Sequence, residues 1–176
     1  CENISGGEMA TRHLLDLGRR RIAHIGSDLD DHPEFKDRFI GYCRAHEAAG
    51  VERIPELVFV TDNHETEAFG AAQRMIDSGV EFDAIFTASD LLALGVMKCL
   101  QKNGIRIPED VSLVGFDDIP AATYVTPALT TVKQDTHLAA EALIGNLLKM
   151  IEGEPVSSPH VPLSLVVRGS CGGRNS

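Results

Sequence analysis

No apolar run in this chain approaches the roughly 20 residues that span a bilayer, and its start has neither a charged n-region nor an apolar h-region. A membrane-spanning helix and a secretory leader are both excluded by this reading, and a cytoplasmic protein with no membrane partner is expected. Cysteine is sparse and unpatterned: Cys1, Cys43, Cys99 and Cys171 form no C-x-x-C pair, and Cys43 and Cys99 fall among helical apolar positions, so buried reduced thiols are expected. Cations are outnumbered, with 16 Lys and Arg against 26 Asp and Glu and a formal net charge of -10. Such a surface repels a phosphate backbone, which argues against nucleic acid as a direct partner. The basic run Arg19-Arg20-Arg21 sits at a helix-to-strand junction, where cations suit the helix C-terminal dipole. Asn3-Ile4-Ser5 has the form of a glycosylation acceptor, a chance match without a secretory signal.

Catalytic motifs are missing as well. There is no G-x-S-x-G elbow, no H-E-x-x-H helix, no Walker loop and no Gly-rich dinucleotide fingerprint. The seven histidines show no metal-ligand spacing, so neither a metal nor a cofactor is expected. The enzymatic alternative rests on Asp117 and Asp118 as paired carboxylates, or on Asp90 as a nucleophile.

What is present is a regular alternation. The length of 176 residues and the 43% hydrophobic content suit one α/β domain with a sizeable core. Ser5 and Glu8 have capping-box spacing for a helix ending at Gly18, and a strand follows over Arg21–Ile25. A stripe of Phe35, Phe39, Tyr42 and Cys43 marks a second helix closing at Gly50, before the strand Leu57–Val60. Helices over Thr66–Gly79 and Asp90–Asn103 then alternate with strands over Ala84–Thr87 and Val111–Phe116. Beyond Pro120 the spacing predicts a strand over Leu129–Lys133, a helix over Thr136–Glu152 and a last strand over Val161–Arg168. Short apolar strands separated by amphipathic helices are what a parallel sheet covered on both faces requires, so an α/β, doubly wound parallel sheet flanked by helices is expected. Ligands in such sheets bind at the carboxyl ends of the strands.

Six segments, in this order and spacing, carry a resemblance to a known family: His13-Leu14-Leu15-Asp16-Leu17-Gly18-Arg19-Arg20-Arg21-Ile22, Arg38-Phe39-Ile40-Gly41-Tyr42, the run from Ala84 through Ser89-Asp90 to Gly95, Ile107-Pro108-Glu109-Asp110-Val111, Gly115-Phe116-Asp117-Asp118, and Pro127-Ala128-Leu129-Thr130-Thr131-Val132. Together they resemble the effector-binding region of lactose/galactose-repressor family transcription regulators, which has the periplasmic-binding-protein type I fold. The resemblance implies a sensor of two subdomains that the chain crosses three times, preceded by a helix-turn-helix domain. Residues 1–131 would then form the C-terminal subdomain. Residues 132–160 would hold a crossover helix belonging to a missing N-terminal subdomain, and 161–176 a returning strand and tail. The chain is read as a fragment whose operator DNA partner is reached only through the missing domain.

The resemblance also implies site residues. Arg38 matches an arginine whose guanidinium fork grips ligand hydroxyls or carboxylates, and Asp117 an acid able to accept from two adjacent sugar hydroxyls; Asp118 is read as a turn residue. Ser89 stands where the family commonly has asparagine, and either contacts ligand or caps the helix. Glu65 replaces a stacking aromatic, which points to a more polar ligand. His32 and Glu34 precede Arg38 in a loop that approaches the ligand or faces solvent, and Gln134 lies at the second crossing. The implied effector is a small sugar or nucleoside, and the implied assembly a homodimer through Leu91, Leu94, Met97, Tyr124 and Val125. A solute-binding protein for sugars, made with a signal peptide, is the nearer alternative.

Overall fold

The computed structural model describes residues 2–26, 33–156 and 161–172. Six helices and six strands alternate through them: α1 (Asn3–Asp16), β1 (Ile22–Gly26), α2 (Pro33–Ala49), β2 (Val58–Val60), α3 (Glu65–Asp77), β3 (Ala84–Thr87), α4 (Asp90–Lys102), β4 (Ser112–Asp117), the single-turn α5 (Ala121–Tyr124), β5 (Thr130–Gln134), α6 (Thr136–Ile151) and β6 (Leu163–Val166). Glycines stop the helices where the sequence places them, with Gly18 at φ 88° after α1 and Gly50 at φ 64° after α2. Ser5 does not cap α1. The helix begins at Asn3, and the Ser5 hydroxyl donates instead to the Glu2 carboxylate and main-chain oxygen, at 3.1 and 3.3 Å.

All strands join one sheet of order β2-β1-β3-β4-β5-β6. The pairs from β2 through β5 are parallel, and β6 runs antiparallel to β5, with Val132 opposite Leu165. The parallel sheet read from the sequence therefore acquires one antiparallel edge, made by the chain returning beside β5.

Residue alternation divides the core between the two faces of the sheet. Ile85 and Leu113 point to the side covered by α3 and α4, where they meet Ala68, Met75, Leu92 and Leu100. Phe86, Val114 and Phe116 point to the side of α1 and α2, against Ala10, Leu14 and Tyr42. The α1–α2 crossing is a backbone contact: a Cβ on Gly7 would stand 2.1 Å from the Arg38 carbonyl oxygen, and one on Gly41 would stand 2.1 Å from that of Ile4. Glycine at these positions lets α2 lie against α1, which sets where Arg38 enters the sheet's edge.

The basic run behaves as its position suggests. The Arg20 guanidinium donates to the Leu15 carbonyl at the end of α1, at 2.7 Å, while the Arg20 and Arg21 amides donate to Asp83. Cys99 and Cys171 are buried and Cys43 is half-buried, all three as free thiols. Among the described residues no helix is long and apolar enough to cross a membrane. One helix is uncovered: α6 exposes Leu143, Ile144, Leu147, Leu148, Met150 and Ile151.

Candidate functional site

In this topology the chain leaves β1 toward β2 and returns to β3 on the other side, so the crevice above β1 and β3 is the switch point where ligands settle. Arg38, on the second turn of α2, reaches that edge and is only 4% exposed. Three groups hold its guanidinium: Nε donates to Asn3 Oδ1 at 3.1 Å, Nη1 to the Ala88 carbonyl, and Nη2 faces Asp117 Oδ1 at 3.2 Å. The cation also lies over the Phe116 ring, 3.7 Å from its centroid. Burial pulls the guanidinium below the usual arginine range, while Asp117, Glu34 and Asp90 support its charge.

Asp117 ends β4, opposite Lys133 of β5, and the same register brings Gln134 Nε2 to its Oδ1 at 2.7 Å. Burial pushes its carboxyl above the usual range, against the pull of Arg38 and Gln134. The Gln134 hydrogen bond and the Arg38 ion pair both fall on Oδ1; among the described residues Oδ2 accepts from none, and the side chain is 30% exposed. Asp117 and Asp118 have φ values of 114° and 57°, a region costly for residues with a Cβ, at about 1–3 kcal/mol each. Neighbours hold this turn. The Ile119 amide donates to Asp90 Oδ2 at 3.0 Å, Thr131 Oγ1 to Asp90 Oδ1 at 2.6 Å, and Asp118 pairs with Arg168 at 2.6 Å. Asp90 is fully buried, which raises its carboxyl to about 6.

The residues expected at the site divide into groups. Arg38, Asp117 and Gln134 come together as one hydrogen-bonded unit. Ser89 caps α4, accepting from the Leu92 amide at 3.3 Å, and is buried. Glu65 is exposed at the start of α3, paired with His64 at 3.4 Å, and lines a groove with Thr66, Phe69, Leu94, Gly95 and Lys98 on the outer side of α3 and α4. No hydrogen bond or ion pair among the described residues joins Glu65 to Arg38 or Asp117. His32 lies outside the described residues. Asp118 is more than a turn residue, because its ion pair with Arg168 ties β4 to the end of β6. Asp90, Asp117 and Asp118 do not form a free carboxylate pair: each is engaged by a different partner.

Of the expected interface residues, Tyr124 is 86% exposed, and Leu91, Leu94 and Val125 are half-buried. Met97 is a correction. At 3% exposure it packs into the core beneath α4, because a helix covering a sheet presents more than one row inward.

Two residues were not found from the sequence. Asn3 reads in sequence only as part of a glycosylation pattern and Asn63 carries no local signal, yet Asn3 Oδ1 accepts from Arg38 and Asn63 Oδ1 from the Ser89 hydroxyl at 2.8 Å. Their partners lie 35 and 26 residues away, beyond any local spacing signal.

A doubly wound sheet with a buried, partly unsatisfied arginine–carboxylate pair at its strand ends defines a small-ligand-binding domain. The sequence profile of the periplasmic binding protein-like domain matches residues 11–171. The regulator CelR of Thermobifida fusca is 36% identical over 96% of this chain and 50% of its own length. The ribose operon repressor of Halalkalibacterium halodurans is 35% identical over 99% of this chain and 53% of its own. A solved complex of the transcriptional regulator CelR with cellobiose superposes with a TM-score of 0.90, at 36% identity, over 97% of this chain and 52% of that one. The chain belongs to the periplasmic binding protein-like domain family, in the form carried by lactose/galactose-repressor (LacI) family regulators. It spans about half the length of the regulators it matches.

Proposed function

We propose that this chain is the effector-sensing part of a cytoplasmic transcription regulator, that it performs no catalysis, and that its effector is a neutral saccharide. The observation that carries this reading is the Arg38–Asp117 pair. Among the described residues it offers a carboxylate oxygen, Asp117 Oδ2, with no partner, and a guanidinium whose five N–H groups make two hydrogen bonds and one ion pair. Adjacent hydroxyls on a sugar, each both donor and acceptor, complement that set. The charge of Arg38 is already opposed by Asp117, with Glu34 and Asp90 nearby, so an added phosphate would find no free cation there. The CelR–cellobiose complex of a 36% identical relative supports the same ligand class.

In this reading residues 1–131 are one sensor subdomain, residues 132–160 enter a second, and 161–176 return. The apolar face of α6 is what such an arrangement leaves uncovered. Effector closes the two subdomains, and the closure shifts a homodimer that meets through Leu91, Leu94, Tyr124 and Val125 on the outer side of α4 and α5. Operator DNA is contacted by a separate helix-turn-helix domain, whose spacing the shift changes; coupling of this kind is about 1–3 kcal/mol per site.

The test is calorimetry of the full-length protein with cellobiose, glucose, ribose and a sugar phosphate. A neutral sugar is expected to bind, and Arg38→Ala to weaken it roughly 30-fold or more, since it removes charged hydrogen bonds worth about 2–4 kcal/mol and leaves Asp117 without its cation, held among the described residues by Gln134 alone. An Arg38→Ala protein that binds as tightly as wild type sinks the assignment of the cleft.

A further inference from the structure

Ser89 is fixed twice, and the second bond leads out of the core. Its oxygen accepts from the Leu92 amide as the cap of α4, and its single proton goes to Asn63 Oδ1 at 2.8 Å. Because Ser89 is buried and, among the described residues, its proton has this one acceptor, the Asn63 amide is held with oxygen inward. The Nδ2 group is thereby turned away from Ser89; Asn63 is exposed, and among the described residues Nδ2 donates to none.

This amide belongs to the same strand-end crevice as Arg38. The Ala88 carbonyl accepts from Arg38 Nη1, and the next residue is Ser89. Two residues before Asn63, the loop leaving β2 crosses the end of β1, where the Thr61 amide donates to the Gly26 carbonyl at 2.8 Å. Thr61 is itself buried, and among the described residues its hydroxyl has no hydrogen-bond partner.

We propose that Asn63 is a specificity-determining residue of the cleft: its Nδ2 group, oriented by Ser89, donates to a hydroxyl or ring oxygen of the effector, while Asp117 Oδ2 accepts from hydroxyls nearer Arg38. The inference rests on the saccharide reading above and adds a direction to it. One end of the ligand meets a carboxylate acceptor and the other a pure donor. A sugar satisfies both only in a pose that turns a hydroxyl or ring-oxygen lone pair toward Asn63 and a hydroxyl proton toward Asp117.

The isosteric change Asn63→Asp tests this in the full-length protein. An aspartate keeps the size and still accepts from Ser89, but it replaces the donor with a second acceptor. Binding of cellobiose, glucose, ribose and galactose is measured by calorimetry for wild type, Asn63→Asp, Asn63→Ala and Arg38→Ala, with unliganded melting curves alongside. For the saccharide that wild type binds, both Asn63 variants are expected to lose at least tenfold in affinity, with unliganded melting unchanged in Asn63→Asp and lowered in Asn63→Ala, which removes the acceptor of the buried Ser89 proton. If the Asn63 variants bind as wild type does while Arg38→Ala fails, the donor role is overturned and the cleft stands. If wild type binds none of the four, the saccharide reading falls and the donor role with it.

Discussion

Gly7→Ala probes the contact that sets the position of the cleft arginine. A Cβ at residue 7 would stand 2.1 Å from the Arg38 carbonyl oxygen and 2.9 Å from both its carbonyl carbon and its Cα, where ordinary contact begins at 3.4 Å. The obstacle is main chain inside a helix, so no rotamer change relieves it, and α1 and α2 must part by about 1 Å. Overpacking of this kind costs about 1–3 kcal/mol when side chains can give way, and backbone places the cost at or above the upper end. Alanine recovers about 1 kcal/mol of helix propensity over glycine. The net loss is about 2 kcal/mol, which in a domain of this size lowers the melting temperature by about 4–8 °C. Urea unfolding, followed by the midpoint at constant slope, measures it. Gly145→Ala in α6 is the control: a Cβ there meets nothing within 4 Å, so the same substitution stabilises by up to about 1 kcal/mol. Effector affinity is expected to fall in Gly7→Ala and not in Gly145→Ala, because the displaced carbonyl belongs to Arg38. A Gly7→Ala protein that unfolds at or above the wild-type midpoint refutes the account of the crossing.

The remaining expectations concern acid, association and DNA. Burial raises Asp90 from 3.8 to about 6, so the folded protein keeps a proton the unfolded chain has lost, and this contribution disappears as pH rises from about 4 to 6. Burial lowers His24 from 6.5 to about 3, so the unfolded chain takes a proton the folded one refuses, and stability falls as pH drops from 6.5 toward 3. The slopes oppose between pH 4 and 6: relative to wild type, Asp90→Asn is expected to steepen the rise of stability with pH and His24→Leu to reverse it, each by up to about 1.4 kcal/mol per pH unit. Urea midpoints at half-unit steps check this, and parallel profiles for the two variants contradict it. The 176-residue chain is expected to self-associate, and serine at Leu143, Ile144, Leu147 and Met150 to reduce it; sedimentation showing only monomer for wild type at high micromolar concentration argues against an adhesive α6 face. At physiological salt this chain alone is expected to leave operator DNA unshifted in a gel, given its net charge of -10, and a shift that persists as salt is raised contradicts that.

Much of the frame follows from local pattern, because helix and strand periods are written within a few residues of each other. Each expected helix and strand is found, with boundaries moved by a few residues at most, and Arg38 and Asp117 lie together at the strand ends. Tertiary structure decided what depends on register and on crossing chains. β6 runs antiparallel because the chain returns beside β5, and its end carries Arg168 to Asp118. Met97 turned inward because α4 lies flat on the sheet, and a helical period does not say which rows the sheet covers. Asn3 and Asn63 read as ordinary polar residues in sequence. Their roles arise only where α1 meets α2 and where the loop after β2 reaches the start of α4, since a hydrogen bond between distant residues is set by packing, which no local spacing encodes.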